Sequence, residues 1–274
     1  MDEHKFLNKN SGFLVGLFLL SSALIPAHLC AKHAYEYFVD FCSIGERVPG
    51  TAGHREARDF ILSNLQNPEL DSFNIQGTDY YNIYKRFHGE QPAIGLAAHW
   101  DSDLGCPGAN DGGSGVALLL SLADTLMKNH PRRAIDLLFF DGEDVGGAEL
   151  LGSEHFAARC VREYTFVIVL DMVGDKDLQL FQEGNSAKFF PELVDSLWQI
   201  GSSVAPHVFV PFVKYYIIDD HMSLIKYGIR SIDVIDFDYP YWDTKHDTID
   251  KCSRESLDLV YRFVLKLVYG VSSY

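Results

Sequence analysis

Apolar and polar residues follow one another along the chain in blocks whose period changes from element to element. The segment GVALLLSLADTLMKN (115–129) places apolar side chains every three to four residues, which is the spacing of a helix with a buried face. AIDLLFFD (134–141) and FVIVLDMVG (166–174) are short continuous apolar runs, which are typical of strands buried on both sides. The pattern predicts strands that alternate with helices.

The remaining periodic segments complete this pattern. They predict helices at 54–65, 190–204 and 253–269, and strands at 80–87, 94–99 and 231–238. Ser253 is expected to cap the last helix, because a serine hydroxyl accepts a bond from the free N–H groups of a first turn. Alternating elements of this kind predict an α/β fold: one domain with a mixed, mostly parallel sheet and helices on both faces.

Composition limits the classes of partner. Of the 274 residues, 47% are apolar, which is enough for one substantial core. The 23 basic and 38 acidic residues give a net charge of −15, and this excludes nucleic acid and argues against an anionic membrane surface as partner.

The first 31 residues differ from the rest. Lys5 and Lys9 precede an apolar run at 12–25, which resembles a signal peptide and is short for a membrane span. We expect residues 1–31 to be a signal peptide or an N-terminal anchor, and residues 32–274 to form an exported domain, periplasmic or secreted. Cleavage and anchoring both stay open.

Cysteine and histidine positions outside the strand ends predict little chemistry. Four cysteines follow the leader, and their spacing assigns neither a disulfide pair nor a zinc knuckle; they are Cys42, Cys106, Cys160 and Cys252. Four histidines are expected at the surface: His54, His130, His155 and His207. His221 is expected at the start of a helix, beside a site rather than as a ligand in it.

Acidic and histidine side chains end several of the predicted strands. They are His99 and Asp101, Asp141–Asp144, Asp171, and Asp236–Asp238; Asp111 lies in a Gly-rich turn before a helix, and the run IIDDHMS holds Asp219 and Asp220. The carboxyl ends of parallel strands meet at one edge of a sheet, where ligands bind in this fold class. Adjacent carboxylates such as Glu143 and Asp144 can divide two tasks, metal binding and proton transfer.

Eight segments in this order resemble the M28 zinc exopeptidases, and most closely their glutaminyl-peptide cyclotransferase branch. They are RVPGTAGHREARDFI, AAHWDSD, GANDGGSGVA, LLFFDGED, LGSEHFA, VLDMVGD, DDHMSLIKYGI and YPYWDT…DTIDKCS. The similarity extends from about residue 38 to residue 270.

The resemblance implies a role for each matching residue. Asp111 would be the central metal ligand, Asp144 would bind a first zinc, and Glu143 would act as general acid and base. His99 and Asp171 would hold a second zinc where one exists. One zinc is expected, and two are compatible with these ligands.

The family's last zinc ligand is a histidine between Trp and Thr, and here Asp243 takes that place. Asp243 itself is one candidate ligand, because zinc accepts carboxylate oxygen. A shifted loop that brings in His246 is the second alternative. A degenerate site with little activity is the third.

Two activities fit the resemblance, and peptide or protein N-termini are the expected substrates of both. A cyclase would convert N-terminal Gln to pyroglutamate and release ammonia, with Asp171, Asp219 and Asp220 as further catalytic carboxylates around Glu143. Trp242 and Tyr241 would then bind substrate. An aminopeptidase would use two zincs to hydrolyse the first peptide bond. A catalytically impaired peptide-binding relative is the third hypothesis.

Overall fold

The computed structural model describes residues 33–145 and 150–270. Its strands are β1 (Glu69–Ile75), β2 (Thr78–Phe87), β3 (Glu90–His99), β4 (Arg133–Phe140), β5 (Tyr164–Asp171), β6 (Leu180–Glu183), β7 (Phe209–Tyr215) and β8 (Ser231–Ile235). Its helices are α1 (Ala34–Cys42), α2 (Ala52–Ser63), α3 (Gly113–Lys128), α4 (Leu151–Arg159), α5 (Gly184–Phe189), α6 (Pro191–Ser202), α7 (Asp220–Lys226) and α8 (Arg254–Gly270).

Six strands form the central sheet in the order β1-β2-β4-β3-β5-β8. Strand β3 pairs in parallel with both β4 and β5, and β5 pairs in parallel with β8. The other two pairings, β1 with β2 and β2 with β4, are antiparallel. Strands β6 and β7 form a separate parallel pair. The predicted mixed, mostly parallel sheet is therefore confirmed.

Helices cover both faces of this sheet. Leu96 and Leu170 belong to a large core that α1, α3 and α8 share. Their strand neighbours Val167 and Val169 point the other way, into a smaller core with Phe156 of α4 and residues of α7. Successive side chains of a strand face opposite sides. A strand whose two faces are both covered therefore needs apolar side chains at consecutive positions.

The strongly periodic segments form the elements predicted for them, whereas several short helices and strands were not predicted. Helices α2, α3, α6 and α8 and strands β2, β3, β4, β5 and β8 lie where the sequence predicts them. Ser253 caps α8 as expected, because its hydroxyl accepts a hydrogen bond of 3.1 Å from the Ser256 N–H. Helices α1, α4, α5 and α7 span only six to nine residues each, too few for a clear period, and β1 is largely exposed.

The expectation that His54 lies at the surface is wrong. Its side chain is buried, its ring stacks on Trp100 at 4.5 Å, and Nε2 lies 2.9 Å from both carboxylate oxygens of Asp141. Trp100 and Asp141 follow two neighbouring strands, so these contacts dock α2 onto the edge of the sheet that carries the strand-end acids.

The expected leader at 1–31 lies outside the described residues. Among the described helices, none is both long enough and apolar enough to cross a bilayer. The four cysteines that follow the leader are free thiols, three of them buried.

Candidate metal centre

The strand-end acids converge at one edge of the sheet. His99 ends β3, Asp171 ends β5, and Glu143 and Asp144 directly follow β4. Asp243 lies on the loop after β8. Because β3, β4, β5 and β8 run in the same direction, their carboxyl ends deliver all these side chains to one place.

One group of ligand atoms surrounds the His99 ring. His99 Nε2 lies 3.0 Å from Asp111 Oδ1 and 3.3 Å from Asp171 Oδ1, and all three residues are buried. Burial lowers the pKa of His99, but contacts with Asp101, Asp111 and Asp171 outweigh it and raise that pKa well above its usual value. Burial and the Asp111 charge raise the pKa of Asp171 to about 7. In the absence of a cation, these carboxylates compete for protons.

A second group shares Asp111 with the first. Oxygens of Asp111, Asp144 and Asp243 all lie within 4.8 Å of one another. Asp144 Oδ2 is buried without a hydrogen-bond partner. Burial, with the charges of Asp111 and Asp103, raises the pKa of Asp243 to about 6. His246 is exposed and belongs to none of the convergent groups among the described residues.

The donor set fits a divalent metal. Imidazole nitrogen and carboxylate oxygen are zinc ligands, and an orphaned buried carboxylate oxygen such as Asp144 Oδ2 is what a bound cation would satisfy. His99, Asp111 and Asp171 offer one mixed set, and Asp111, Asp144 and Asp243 offer a second set of oxygen ligands only. Three carboxylates leave a divalent ion in a net negative site, which favours harder metals.

Gly112 allows the two parts of the site to approach. It precedes α3 with φ +69°, in the left-handed region that favours glycine. A Cβ atom at this position would lie 2.8 Å from His99 Cε1 and 3.0 Å from the His99 carbonyl oxygen. Any other residue would therefore push Asp111 away from His99.

Asp101 fixes the loop that carries Glu143 and Asp144. Its carboxylate accepts hydrogen bonds from the backbone N–H groups of Glu143 at 3.2 Å and Asp144 at 3.0 Å. Burial alone would raise the pKa of Asp101, but the His99 ring and these two donors hold it below its usual value. Asp101 thus stays ionised beneath the site and positions two candidate residues.

Asp247 positions Asp111 by accepting hydrogen bonds from backbone N–H groups, as Asp101 does for Glu143 and Asp144. It accepts hydrogen bonds from the N–H groups of Asn110 at 2.8 Å and Asp111 at 3.0 Å, and from the Tyr239 hydroxyl at 2.5 Å. We assigned Asp247 no role from the sequence. The available signal was its place in the segment YPYWDT…DTIDKCS, which resembles the M28 zinc exopeptidases.

Arg47 holds the segment that joins β3 to α3. Its side chain is fully buried and donates hydrogen bonds to backbone carbonyl oxygens along that segment. The acceptors are Trp100, Asp101, Pro107, Gly108 and Asp111, at 2.7 to 3.3 Å. The segment's path around Asp111 is therefore set by one guanidinium group from before α2.

A cavity of about 430 Å³ opens onto the ligand groups. Its acidic side is lined by Asp103, Asp111, Glu143, Asp144, Asp171, Asp219 and Asp243, and its apolar side by Met172, Tyr216, Ile217, Ile218, Ile235, Phe237 and Trp242. The Trp242 ring packs on Phe237 at 5.3 Å and is 40% exposed. Tyr241 does not line the cavity and packs on Tyr239 instead.

Two of the strand-end acids serve the fold rather than the cavity. Asp236 is buried and accepts hydrogen bonds from the N–H groups of Gln179 and Asp238. Asp238 pairs with Lys214 at 2.6 Å.

Glu143 faces a concentration of negative charge. Burial raises its pKa, the His99 ring lowers it, and the charges of Asp144, Asp219 and Asp220 raise it; the pKa ends well above its usual range. Asp219 caps α7 by accepting a hydrogen bond from the Asp220 N–H, and both carboxyl groups are buried. Neighbouring negative charges of this kind make a carboxyl group a stronger proton acceptor.

Residues 82–268 match the model of Peptidase family M28. The chain belongs to this family.

Solved structures similar to this M28 chain include enzymes of two kinds. Glutaminyl cyclase of Bacteroides thetaiotaomicron, bound to N-acetylhistamine, superposes with a TM-score of 0.82 at 28% identity, over 87% of this chain and 97% of the cyclase. A Zn-dependent exopeptidase from Parabacteroides distasonis superposes with a TM-score of 0.81 at 30% identity, over 87% of this chain and 97% of the other.

Curated M28-type relatives divide in the same way. Glutaminyl-peptide cyclotransferase of Bos taurus is 24% identical over 78% of this chain and 75% of its own length. The vacuolar membrane protease of Candida glabrata is 30% identical over 68% of this chain, and aminopeptidase YwaD of Bacillus subtilis is 27% identical over 64%. The chain spans only 20% and 40% of these two proteins. An enzyme of the peptidase or cyclotransferase type, with zinc as the implied metal, is consistent with every one of these relatives.

Proposed function

We propose that the protein is a metal-dependent glutaminyl-peptide cyclotransferase that converts N-terminal Gln to pyroglutamate and releases ammonia. The observation that carries this proposal is Glu143, which lies in a cavity between candidate metal ligands and buried carboxyl groups that keep its pKa well above normal. The similarity to bacterial glutaminyl cyclases over nearly their whole length supports it.

The cavity suits a short, uncharged side chain. Its apolar side, with Phe237 and Trp242, would pack against the methylene groups of the substrate glutamine. The carboxylates opposite would accept hydrogen bonds from the substrate α-amino group. Tyr241 would act through the loop, since its ring supports the segment that carries Trp242.

Asp111, Asp144 and Asp243 would hold the zinc ion, with His99, Asp111 and Asp171 as the second set. When bound, zinc supplies Lewis acidity that polarises the side-chain amide of the substrate.

Glu143 would move the proton. The substrate α-amino nitrogen attacks its own side-chain carbonyl carbon, so one C–N bond forms and the bond to the amide nitrogen breaks. Glu143 receives a proton from the attacking nitrogen and returns it to the departing nitrogen, which leaves as ammonia. No water is consumed, and the total number of protons is unchanged. A carboxyl group of raised pKa is suited to both halves of this transfer.

The neighbouring acids would set that pKa. Asp171, Asp219 and Asp220 are buried, and the charges of Asp219 and Asp220 raise the pKa of Glu143. They would act as positioning and tuning groups for the proton on Glu143.

One observation favours an aminopeptidase as the second candidate. His99, Asp111 and Asp171 converge as a separate ligand group beside the first, which is what a two-metal hydrolase requires. Glu143 would then take a proton from water rather than from the substrate amine.

Mass spectrometry on two peptides distinguishes the candidates. The purified protein is incubated with zinc and a peptide that begins with Gln, or a matched peptide that begins with Leu. Loss of ammonia from the first alone supports the cyclase, whereas loss of the first residue from either supports the aminopeptidase. No change in either peptide would contradict both, and would leave a non-catalytic relative in which Asp243 marks a failed zinc site.

Two variants tie the activity to the cavity. Glu143→Gln is expected to abolish turnover while zinc stays bound. The matched control is Glu163→Gln, an exposed residue that precedes β5 at the opposite edge of the sheet, and it is expected to retain full turnover.

A further inference from the structure

A second cluster of buried ionisable groups lies beside the cavity. It consists of Glu183 at the end of β6, Asp219 at the cap of α7, His221 in α7, and Asp233 in β8. His221 and Asp233 are 0% exposed, and Glu183 and Asp219 are 2% and 3% exposed. Three carboxyl groups and one imidazole therefore share a space without solvent.

Glu183 lies beside one edge of the His221 ring. Its oxygens accept hydrogen bonds from the N–H groups of Asn185, Ser186 and Ile217 at 2.6 to 3.0 Å. Glu183 Oε2 lies 3.2 Å from His221 Nε2. A carboxylate at this distance favours the tautomer with its proton on Nε2, which leaves a lone pair on Nδ1.

That lone pair faces the other carboxyl groups. His221 Nδ1 lies 3.8 Å from Asp233 Oδ2, and ligand atoms of Asp219, His221 and Asp233 lie within 4.8 Å of one another. Both ring nitrogens of His221, Asp219 Oδ2 and both Asp233 oxygens have no hydrogen-bond partner of normal geometry. Polar atoms buried in this way are costly unless something satisfies them.

We propose that Asp219, His221 and Asp233 bind a divalent transition-metal ion of the zinc class, in a site separate from the one that faces the substrate. A carboxylate that holds one ring nitrogen while the other meets the metal is the usual support of a histidine ligand, and Glu183 takes that place. One nitrogen and carboxylate oxygens are zinc-type donors. The site shares no residue with His99, Asp111, Asp144 or Asp243.

The location provides an entry route and a reason for the site to matter. Asp219 also lines the cavity, so an ion can reach the cluster from there. An ion bound to Asp219 and Asp233 would tie the start of α7 to β8, beside Glu143. The sequence predicts His221 at a helix start and not as a ligand. In this proposal, His221 lies at the helix start and also binds the metal.

Zinc stoichiometry tests the proposal. The metal-free protein is equilibrated with Zn²⁺, passed through a desalting column, and analysed by inductively coupled plasma mass spectrometry. The Asp111→Asn, Asp144→Asn double variant lacks the central cavity ligands and is expected to retain about one equivalent. Adding Asp233→Asn or His221→Gln to it is expected to remove that equivalent. The matched control is Asp136→Asn, which should retain the equivalent. Asp136 is a buried carboxyl group of β4 that pairs with Arg162.

Two results would overturn the proposal. The double variant retaining no zinc would mean that the cluster holds protons and no metal. Equal zinc content with and without Asp233→Asn or His221→Gln would place any extra ion elsewhere. Circular dichroism checks folding, and if both added substitutions unfold the chain, the zinc content of the double variant decides alone.

Discussion

Replacing Asp247 by alanine should weaken both the fold and the metal site, although Asp247 is not a candidate ligand. Its carboxylate accepts three hydrogen bonds, from the N–H groups of Asn110 and Asp111 and from Tyr239. Hydrogen bonds to a charged group contribute about 1.5–3 kcal/mol each. Burial and the charge of Asp111 outweigh these bonds in the pKa of Asp247, which stays raised at about 6.

The two backbone N–H groups that would lose their acceptor set the expected size of the effect. We expect Asp247→Ala to lower the free energy of unfolding by about 3 kcal/mol, because two buried backbone donors lose their acceptor. For a domain of this size, that is a fall in Tm of roughly 6–12 °C. Zinc affinity should fall about 10- to 100-fold, because Asp111 is no longer held in place.

Thermal unfolding and zinc competition against a chelator measure the two effects. The matched control is Asp250→Ala, an exposed aspartate on the same loop, which is expected to change neither. Equal Tm and equal zinc affinity for the two variants would refute the reasoning that Asp247 positions Asp111.

Four further predictions follow from contacts described above. Asp243→Ala should lower the zinc affinity of the cavity at least tenfold, and His246→Ala should leave it unchanged; the reverse result in a chelator competition would favour the shifted loop. Because the pKa of Asp171 is about 7 and that of Asp243 about 6 in the metal-free protein, zinc affinity measured by calorimetry should fall as the pH decreases from about 7 to 5. Because the pKa of Asp171 is higher in the folded protein than in the unfolded chain, the folded state binds more protons between pH 3.8 and about 7. The free energy of unfolding of the metal-free protein should therefore decrease as the pH rises through that window, and an increase would contradict this prediction. His54→Ala should lower the free energy of unfolding by about 3 kcal/mol or more, since it removes the ring partner of the buried Asp141 carboxylate and leaves it the Tyr81 N–H; the exposed His130→Ala is the control, and equal melting curves would count against the contact.

The strand-end residues were predictable because their position follows from the order of elements. An apolar run that ends in an acid is visible in the sequence, and parallel pairing brings His99, Asp111 and Asp171 together without further information. Helix α3 was equally visible, because its 16 residues carry a clear helical period.

Other features depend on contacts between segments far apart in the chain. The pattern around His54 does not reveal that Trp100 and Asp141 cover its face of α2. The cluster around His221 likewise cannot be predicted from the sequence. Glu183 and Asp233 are distant from His221 along the chain and contact it only once β6 and β8 are in place. Strand β1 has no fully buried side chain, so its sequence carries little apolar signal, and its position follows from its pairing with β2.

The hydrogen bonds of Arg47 limit where this domain can be truncated. The family match begins at residue 82, yet the guanidinium group that shapes the Asp111 segment comes from residue 47. A fragment cut at the start of the match would keep every candidate ligand and lose the group that arranges them. The smallest piece of this chain able to bind metal at the cavity must therefore begin before Arg47.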